Sequence, residues 1–138
     1  MTIHPKTANR LLWTAQTLLA LLFAFAGVMK LVMTAEQMQG PIALPLTFLR
    51  FIGIAETLGA FGLILPGLLR IHTELTVLAA SGLVIIMTGA SALTIFSMGI
   101  APALVPLIVG IAAATIAYRR WQTWPRRAAA RKPAFQIN

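Results

Sequence analysis

Four long apolar stretches constrain the fold of this chain more than any other feature. They cover residues 11–33, 46–65, 74–96 and 102–118. A helix needs about 17 to 25 residues to cross the hydrocarbon core of a bilayer, and each stretch falls in that range. A backbone inside lipid must satisfy its own hydrogen bonds, so such stretches form helices. The sequence therefore predicts an all-α fold, an integral membrane protein built as an antiparallel four-helix bundle.

The composition supports a membrane domain and excludes several kinds of site. Only 10% of the 138 residues are charged, whereas a soluble domain carries about 25%. The length fits one domain, with the four membrane spans over residues 11–118, a segment 1–10 before it and a basic tail 119–138 after it. The chain has no cysteine, no aspartate and two histidines, His4 and His72. We therefore expect no metal-bound cofactor, no Ser-His-Asp set and no stand-alone enzyme.

The distribution of basic residues predicts the orientation in the membrane. Eleven Lys and Arg against three Glu give a net charge of +8, and a bundle of four spans places nine of the eleven on the side of the termini. The positive-inside rule then predicts a multi-pass protein of the cell membrane with both termini cytoplasmic. The basic residues serve orientation on this interpretation, and we expect no nucleic acid partner. The nine are Lys6, Arg10, Arg70, Arg119, Arg120, Arg126, Arg127, Arg131 and Lys132.

One carboxyl group, that of Glu56, falls near the middle of the second apolar stretch. An ionisable residue at that depth is costly, which makes it a candidate functional residue. Gly53, Gly59 and Ala60 share its helical face, so this face is small and Glu56 should point into the bundle. No cation is expected at its level, and the sequence therefore predicts a neutral, protonated carboxyl group.

Polar residues of the other spans provide the predicted partners of Glu56. By depth along their own helices, Gln16, Ser81 and Thr115 lie close enough to its level to meet it. Two interpretations stay open at this point. Glu56 either joins two helices as a packing residue or takes part in ligand binding or proton handling.

Basic residues mark both ends of the predicted bundle. Lys30 and Arg50 lie toward the outer face, where they either extend to the interface as anchors or form a cationic rim for an anionic or quinone-like head group. Arg70, His72 and Glu74 form a polar turn on the inner side. The tail carries two tryptophans among its basic residues, so we expect it to lie against anionic lipid.

Two segments of the sequence resemble a known family. Residues 25–31, FAGVMKL, close the first span, and residues 50–56, RFIGIAE, are followed by Gly59, Gly62, Leu63 and Pro66. This pattern resembles the DoxX-like membrane proteins over residues 12–118. The family consists of small four-helix proteins and is named for a small subunit associated with a thiosulfate:quinone oxidoreductase. Other members are linked to redox or detoxification complexes, and a distant animal branch acts in receptor assembly.

The resemblance implies one preferred function, and two alternatives stay open beside it. It implies an accessory subunit, or a quinone-binding or small-molecule-binding component, of a membrane redox complex. A small proton-coupled transporter and a non-catalytic assembly or chaperone-like protein are the alternatives. The expected partners are the lipid bilayer, larger redox subunits and a further copy of the chain, with quinone as the expected ligand. The candidate binding residues are Lys30, Arg50, Glu56, Gln16 and Ser81.

Overall fold

The four apolar stretches form four helices, which confirms the predicted all-α class. A computed structural model describes residues 5–38, 40, 42–69 and 73–130. Within these residues each helix contains an apolar segment long enough to cross a membrane. The helices are α1 (Pro5–Val32), α2 (Leu46–Leu68), α3 (Thr73–Met98) and α4 (Ile100–Ala130).

Neighbouring helices pack in chain order to form the bundle. Helix α1 contacts α2, α2 contacts α3, and α3 contacts α4, while α1 and α4 touch over a smaller area. Consecutive helices are antiparallel, as the contacts of Gly59 with Leu83 and of Gly62 with Ala79 show for α2 and α3. The start of α1, the α2–α3 connection and the end of α4 therefore share one end, which we call the terminal end. The α1–α2 and α3–α4 connections share the opposite end.

The core draws small and large apolar residues from all four helices. Lipid is as apolar as the side chains, so close packing rather than the hydrophobic effect holds membrane helices together. Small side chains let the backbones approach, and the larger ones fill the space between the helices. The buried cluster consists of Leu19, Ala20, Phe23, Ala60, Leu63, Ala80, Leu83, Met87, Ala113 and Ile116.

A single glycine connects the last two helices. Gly99 has φ of +92°, a conformation that other residues rarely adopt. Its N–H donates to the Thr94 carbonyl at 3.1 Å and to the Ile95 carbonyl at 3.2 Å, which closes the last turn of α3. The connection is therefore shorter than the sequence indicates.

Helices α1 and α4 extend beyond their predicted spans at the terminal end. Helix α1 begins at Pro5, within the predicted N-terminal segment, and α4 continues to Ala130, within the predicted tail. The apolar pattern defines only the part of a helix that lies in lipid. Good helix formers such as Ala, Gln and Arg let a helix continue where that pattern ends.

Candidate functional site

Two glycines bring α1 and α2 into backbone contact. A Cβ atom on Gly53 would lie 2.9 Å from the Gly27 carbonyl oxygen and 3.0 Å from Cβ of Lys30. A Cβ atom on Gly27 would lie 2.7 Å from the Gly53 carbonyl oxygen. Any larger residue at either position would push the helices apart. We call this close contact the glycine seam.

An ion pair lies one helical turn from the glycine seam. Nζ of Lys30 donates to Oε2 of Glu56 at 2.8 Å, and this contact joins α1 to α2. The Glu56 side chain is 3% exposed and the Lys30 side chain is 31% exposed. The pair is thus buried on its acidic side and partly open on its basic side. We call these two residues the seam pair.

Helix geometry explains why Lys30 reaches Glu56. Side chains on a helix lean toward its N-terminus, and for Lys30 that direction leads away from the opposite end and into the bundle. The stem of Lys30 starts beside Gly53. Because α2 runs antiparallel to α1, moving in that direction passes from Gly53 to Glu56. The backbone contact at the glycine seam keeps the distance within the length of a lysine side chain.

The structure confirms one prediction about Glu56 and corrects another. Gly53, Glu56, Gly59 and Ala60 are all buried, so the carboxyl group points into the bundle as its helical face predicts. The premise that no cation lies at its level is wrong. Lys30 points inward instead of toward the outer interface, and its ammonium group removes the reason for expecting a neutral carboxyl group.

The seam pair retains hydrogen-bonding capacity toward its open side. An ammonium group has three N–H donors, and in the described part of the chain Lys30 uses one of them, for Glu56. A carboxylate has two oxygens and can accept several hydrogen bonds. A polar group that entered beside Lys30 could therefore bind its ammonium group without first breaking the ion pair.

The other candidate residues do not join the seam pair. Arg50 is on α2, and its side chain is exposed on the outside of the bundle. Ser81 and Thr115 are exposed too, and their hydroxyl groups donate to carbonyls of their own helices, Val77 at 2.8 Å and Ile111 at 2.9 Å respectively. The predicted cationic rim of Lys30 and Arg50 is therefore not formed.

A second buried polar cluster lies at the terminal end and ties three helices together. The side-chain amide of Gln16, fully buried, donates to the Leu63 carbonyl of α2. Its Oε1 accepts from Arg120 of α4, with distances of 3.1 Å to Nε and 2.9 Å to Nη2. The Arg120 guanidinium also lies 5.3 Å from the centre of the Trp13 ring, a cation–π contact. We call Trp13, Gln16, Leu63 and Arg120 the terminal clamp.

The terminal clamp corrects the prediction for Gln16. It also contains Trp13 and Arg120, which were not predicted from the sequence as site residues. Gln16 was expected near Glu56, but Leu63 and Arg120 take its hydrogen bonds. Arg120 was assigned to the basic tail, yet it is only 8% exposed because α4 continues straight past the end of the apolar stretch. Trp13 and Gln16 are three residues apart on α1, so a shared inward face was the signal available in the sequence.

The predicted inner turn is described only in part. Arg70 and His72 lie outside the described residues. Glu74 is exposed in the first turn of α3, where the helix dipole favours an acidic residue.

Comparison with known families confirms the resemblance. A model of the DoxX-like family matches residues 14–117, and the chain therefore belongs to this family of membrane proteins. The matched region contains the whole glycine seam, the seam pair and all of the terminal clamp except Trp13 and Arg120. Searches of curated proteins and of solved structures found no match.

Proposed function

We propose that this protein is an accessory component of a membrane redox complex in which the seam pair binds the polar head group of a quinone-like molecule. The observation that carries the proposal is the ion pair of Lys30 and Glu56 inside an apolar bundle, open on the side of Lys30. The link to redox chemistry comes from the family resemblance.

The chemistry of the seam pair suits both redox forms of such a ligand. A quinone carries carbonyl oxygens that accept hydrogen bonds, and Lys30 offers an ammonium donor. The reduced quinol carries hydroxyl groups that donate, and Glu56 offers a carboxylate acceptor. Charge-assisted hydrogen bonds of this kind are stronger than bonds between neutral groups. Their low-dielectric surroundings strengthen them further.

Binding of a quinone analogue by the purified full chain tests the proposal. Removing a charged hydrogen-bond donor costs about 1.5 to 3 kcal/mol, so Lys30→Met should weaken binding by about tenfold or more. Glu56→Gln should weaken it as well, since the ammonium group loses its orienting partner. Arg50→Gln is the matched control and should bind within about twofold of wild type. Wild-type binding by both Lys30→Met and Glu56→Gln would contradict quinone binding by the seam pair.

Measurements of proton exchange and quinone binding on the same purified protein distinguish the two alternative functions. A proton-coupled transporter must release or take up protons when its substrate binds, which a pH-sensitive dye detects in a weakly buffered solution. An assembly protein requires neither quinone binding nor proton exchange. Copurification with larger redox subunits, together with loss of their activity in Glu56→Gln, would favour the accessory role.

We also propose that both termini are cytoplasmic, on the distribution of basic residues. A reporter that is active only in the cytoplasm, fused after Asn138, should be active. Activity of a periplasm-specific reporter at the same position would overturn this orientation.

A further inference from the structure

An apolar groove runs along the outside of the bundle between α3 and α4. Its volume is about 630 Å³, within the range of small-molecule sites. Ser81, Val84 and Ile85 form part of its wall on α3, and Ala114 and Trp121 form part of its wall on α4. The Ser81 hydroxyl donates to the Val77 carbonyl at 2.8 Å, so the wall is apolar in effect.

A second groove, also mainly apolar, adjoins the first on the surface of α4. Ala114 and Tyr118 line both grooves, so the two grooves are neighbours. The polar side chains of the second groove include Arg119 and Gln122, close to the terminal end. The positive charge of Arg119 thus lies beside the apolar groove, close to the point where the apolar segment of α4 ends at Gln122.

We infer that the two grooves together bind one anionic phospholipid, with an acyl chain along α3 and α4 and the phosphate at Arg119. Charge complementarity supports this occupant, because Arg119 is exposed and takes part in no ion pair among the residues described. The guanidinium donates hydrogen bonds to phosphate oxygens, and the Gln122 amide is placed to add another.

The length and position of the apolar groove favour a lipid over a water-soluble ligand. From Ala114 to Trp121 the groove extends about 10 Å along α4, which fits within one leaflet of the roughly 30 Å hydrocarbon core. The groove opens outward, so the bilayer itself supplies its occupant. Trp121 is exposed at the end of the apolar segment of α4, the part of a membrane helix in which tryptophan is enriched. The lipid site lies between α3 and α4, whereas the seam pair joins α1 to α2.

Quenching of tryptophan fluorescence by lipids with brominated acyl chains tests the lipid site. The full chain is reconstituted in vesicles of phosphatidylcholine with increasing brominated phosphatidylglycerol, and brominated phosphatidylcholine serves as the reference lipid. We expect phosphatidylglycerol to quench at lower mole fractions. Trp121→Phe should remove most of this lipid-specific quenching, because Trp121 lines the groove.

Two variants with matched controls separate the phosphate contact from the acyl-chain contact. Arg119→Gln should lower the preference for phosphatidylglycerol about fivefold, the effect of one basic residue at an anionic surface. Ala114→Leu, or Ser81→Leu from the other wall, fills the groove and should reduce quenching by both lipids. Arg50→Gln and Ala92→Leu change an exposed arginine and an exposed alanine outside the groove, and they should behave as wild type.

Three outcomes would overturn the inference. Equal losses in Arg119→Gln and Arg50→Gln would mean that only the general positive charge attracts the lipid. Unchanged quenching in both groove-filling variants would mean that no acyl chain occupies the groove. Displacement of phosphatidylglycerol by an excess of inorganic phosphate alone would mean that the grooves bind a free anion rather than a lipid.

Discussion

The seam pair and the terminal clamp are two buried polar clusters with opposite designs. The seam pair joins α1 to α2 through complementary charges and leaves Lys30 partly exposed. The terminal clamp joins α1, α2 and α4, and it holds the Arg120 cation against a neutral amide and an aromatic ring. The terminal clamp joins three helices and the seam pair joins two. Gln16 and Arg120 of the clamp are also more deeply buried than Lys30.

This difference supports our proposal that the seam pair serves function and the terminal clamp serves structure. A cluster enclosed by three helices cannot exchange a partner without separating them, so the terminal clamp suits a fixed role in assembly. The seam pair can receive a polar group at Lys30 while α1 and α2 stay in contact at the glycine seam. Buried ion pairs are also poor stabilisers compared with apolar packing, so stability alone does not account for the seam pair.

The largest expected effect is that of removing one partner of the seam pair. Lys30→Met leaves Glu56 buried without its cation and should lower the free energy of unfolding by about 3 kcal/mol. Glu56→Leu should cost only about 1 kcal/mol, since the freed Lys30 is already partly exposed and can extend toward the interface. Unfolding of the purified protein by a denaturing detergent measures both values.

The double variant Lys30→Met with Glu56→Leu is the control for this experiment. It removes both charges and should recover most of the stability that Lys30→Met loses. Additive losses in the double variant would contradict direct coupling between the two side chains.

The next effect concerns the glycine seam that positions the pair. Gly53→Ala places a Cβ atom 2.9 Å from the Gly27 carbonyl oxygen and should destabilise the protein by about 2 kcal/mol through overpacking. Quinone-analogue binding should weaken at the same time, because the wider spacing separates Lys30 from Glu56. Gly89→Ala is the matched control: a Cβ atom there meets nothing within 4 Å. It should be neutral or stabilise α3 by up to about 1 kcal/mol.

A smaller effect is expected at the terminal clamp. Gln16→Leu removes one acceptor of Arg120 and the donor to the Leu63 carbonyl. Interhelical hydrogen bonds in membranes contribute about 0.6 kcal/mol on average and up to about 1.7 kcal/mol. Thermal unfolding in detergent should therefore show a loss of about 1.5 kcal/mol, with unchanged binding of the quinone analogue. A variant of normal stability that had lost binding would reverse the roles assigned to the two clusters.

The smallest effect is expected at Arg50. Its side chain is exposed on α2, so Arg50→Gln should change the free energy of unfolding by less than about 0.5 kcal/mol. Denaturing-detergent unfolding beside Lys30→Met checks this value. A loss as large as that of Lys30→Met would restore Arg50 to the candidate site.

The sequence predicts the helices and the inward face of Glu56 because both depend on local patterns. Apolar length determines the four spans, and the spacing of Gly53, Gly59 and Ala60 places Glu56 in the bundle. The pairing with Lys30 depends on how closely two helices approach, which spacing along one helix does not contain. The position of Lys30 near the end of the first apolar stretch indicates the outer face, but its side chain leans toward the N-terminus of α1 and so reaches Glu56.

Arg120, at the terminal end, is a second residue whose contacts cannot be predicted from spacing along one helix. Its position after an apolar stretch and beside Arg119 is typical of an interfacial anchor. The two neighbours nevertheless face different surroundings, since consecutive residues of a helix are about 100° apart. Arg119 is exposed and Arg120 is buried. Only the packing of α4 against α1 distinguishes them.

Infrared spectroscopy of Glu56 tests the central claim, an ionised pair inside the apolar bundle, most directly. The difference spectrum between wild type and Glu56→Gln at neutral pH isolates the signal of this one carboxyl group. An ion pair with Lys30 predicts that the substitution removes carboxylate bands. Loss of a protonated carboxyl band, with the carboxylate bands unchanged, would contradict it.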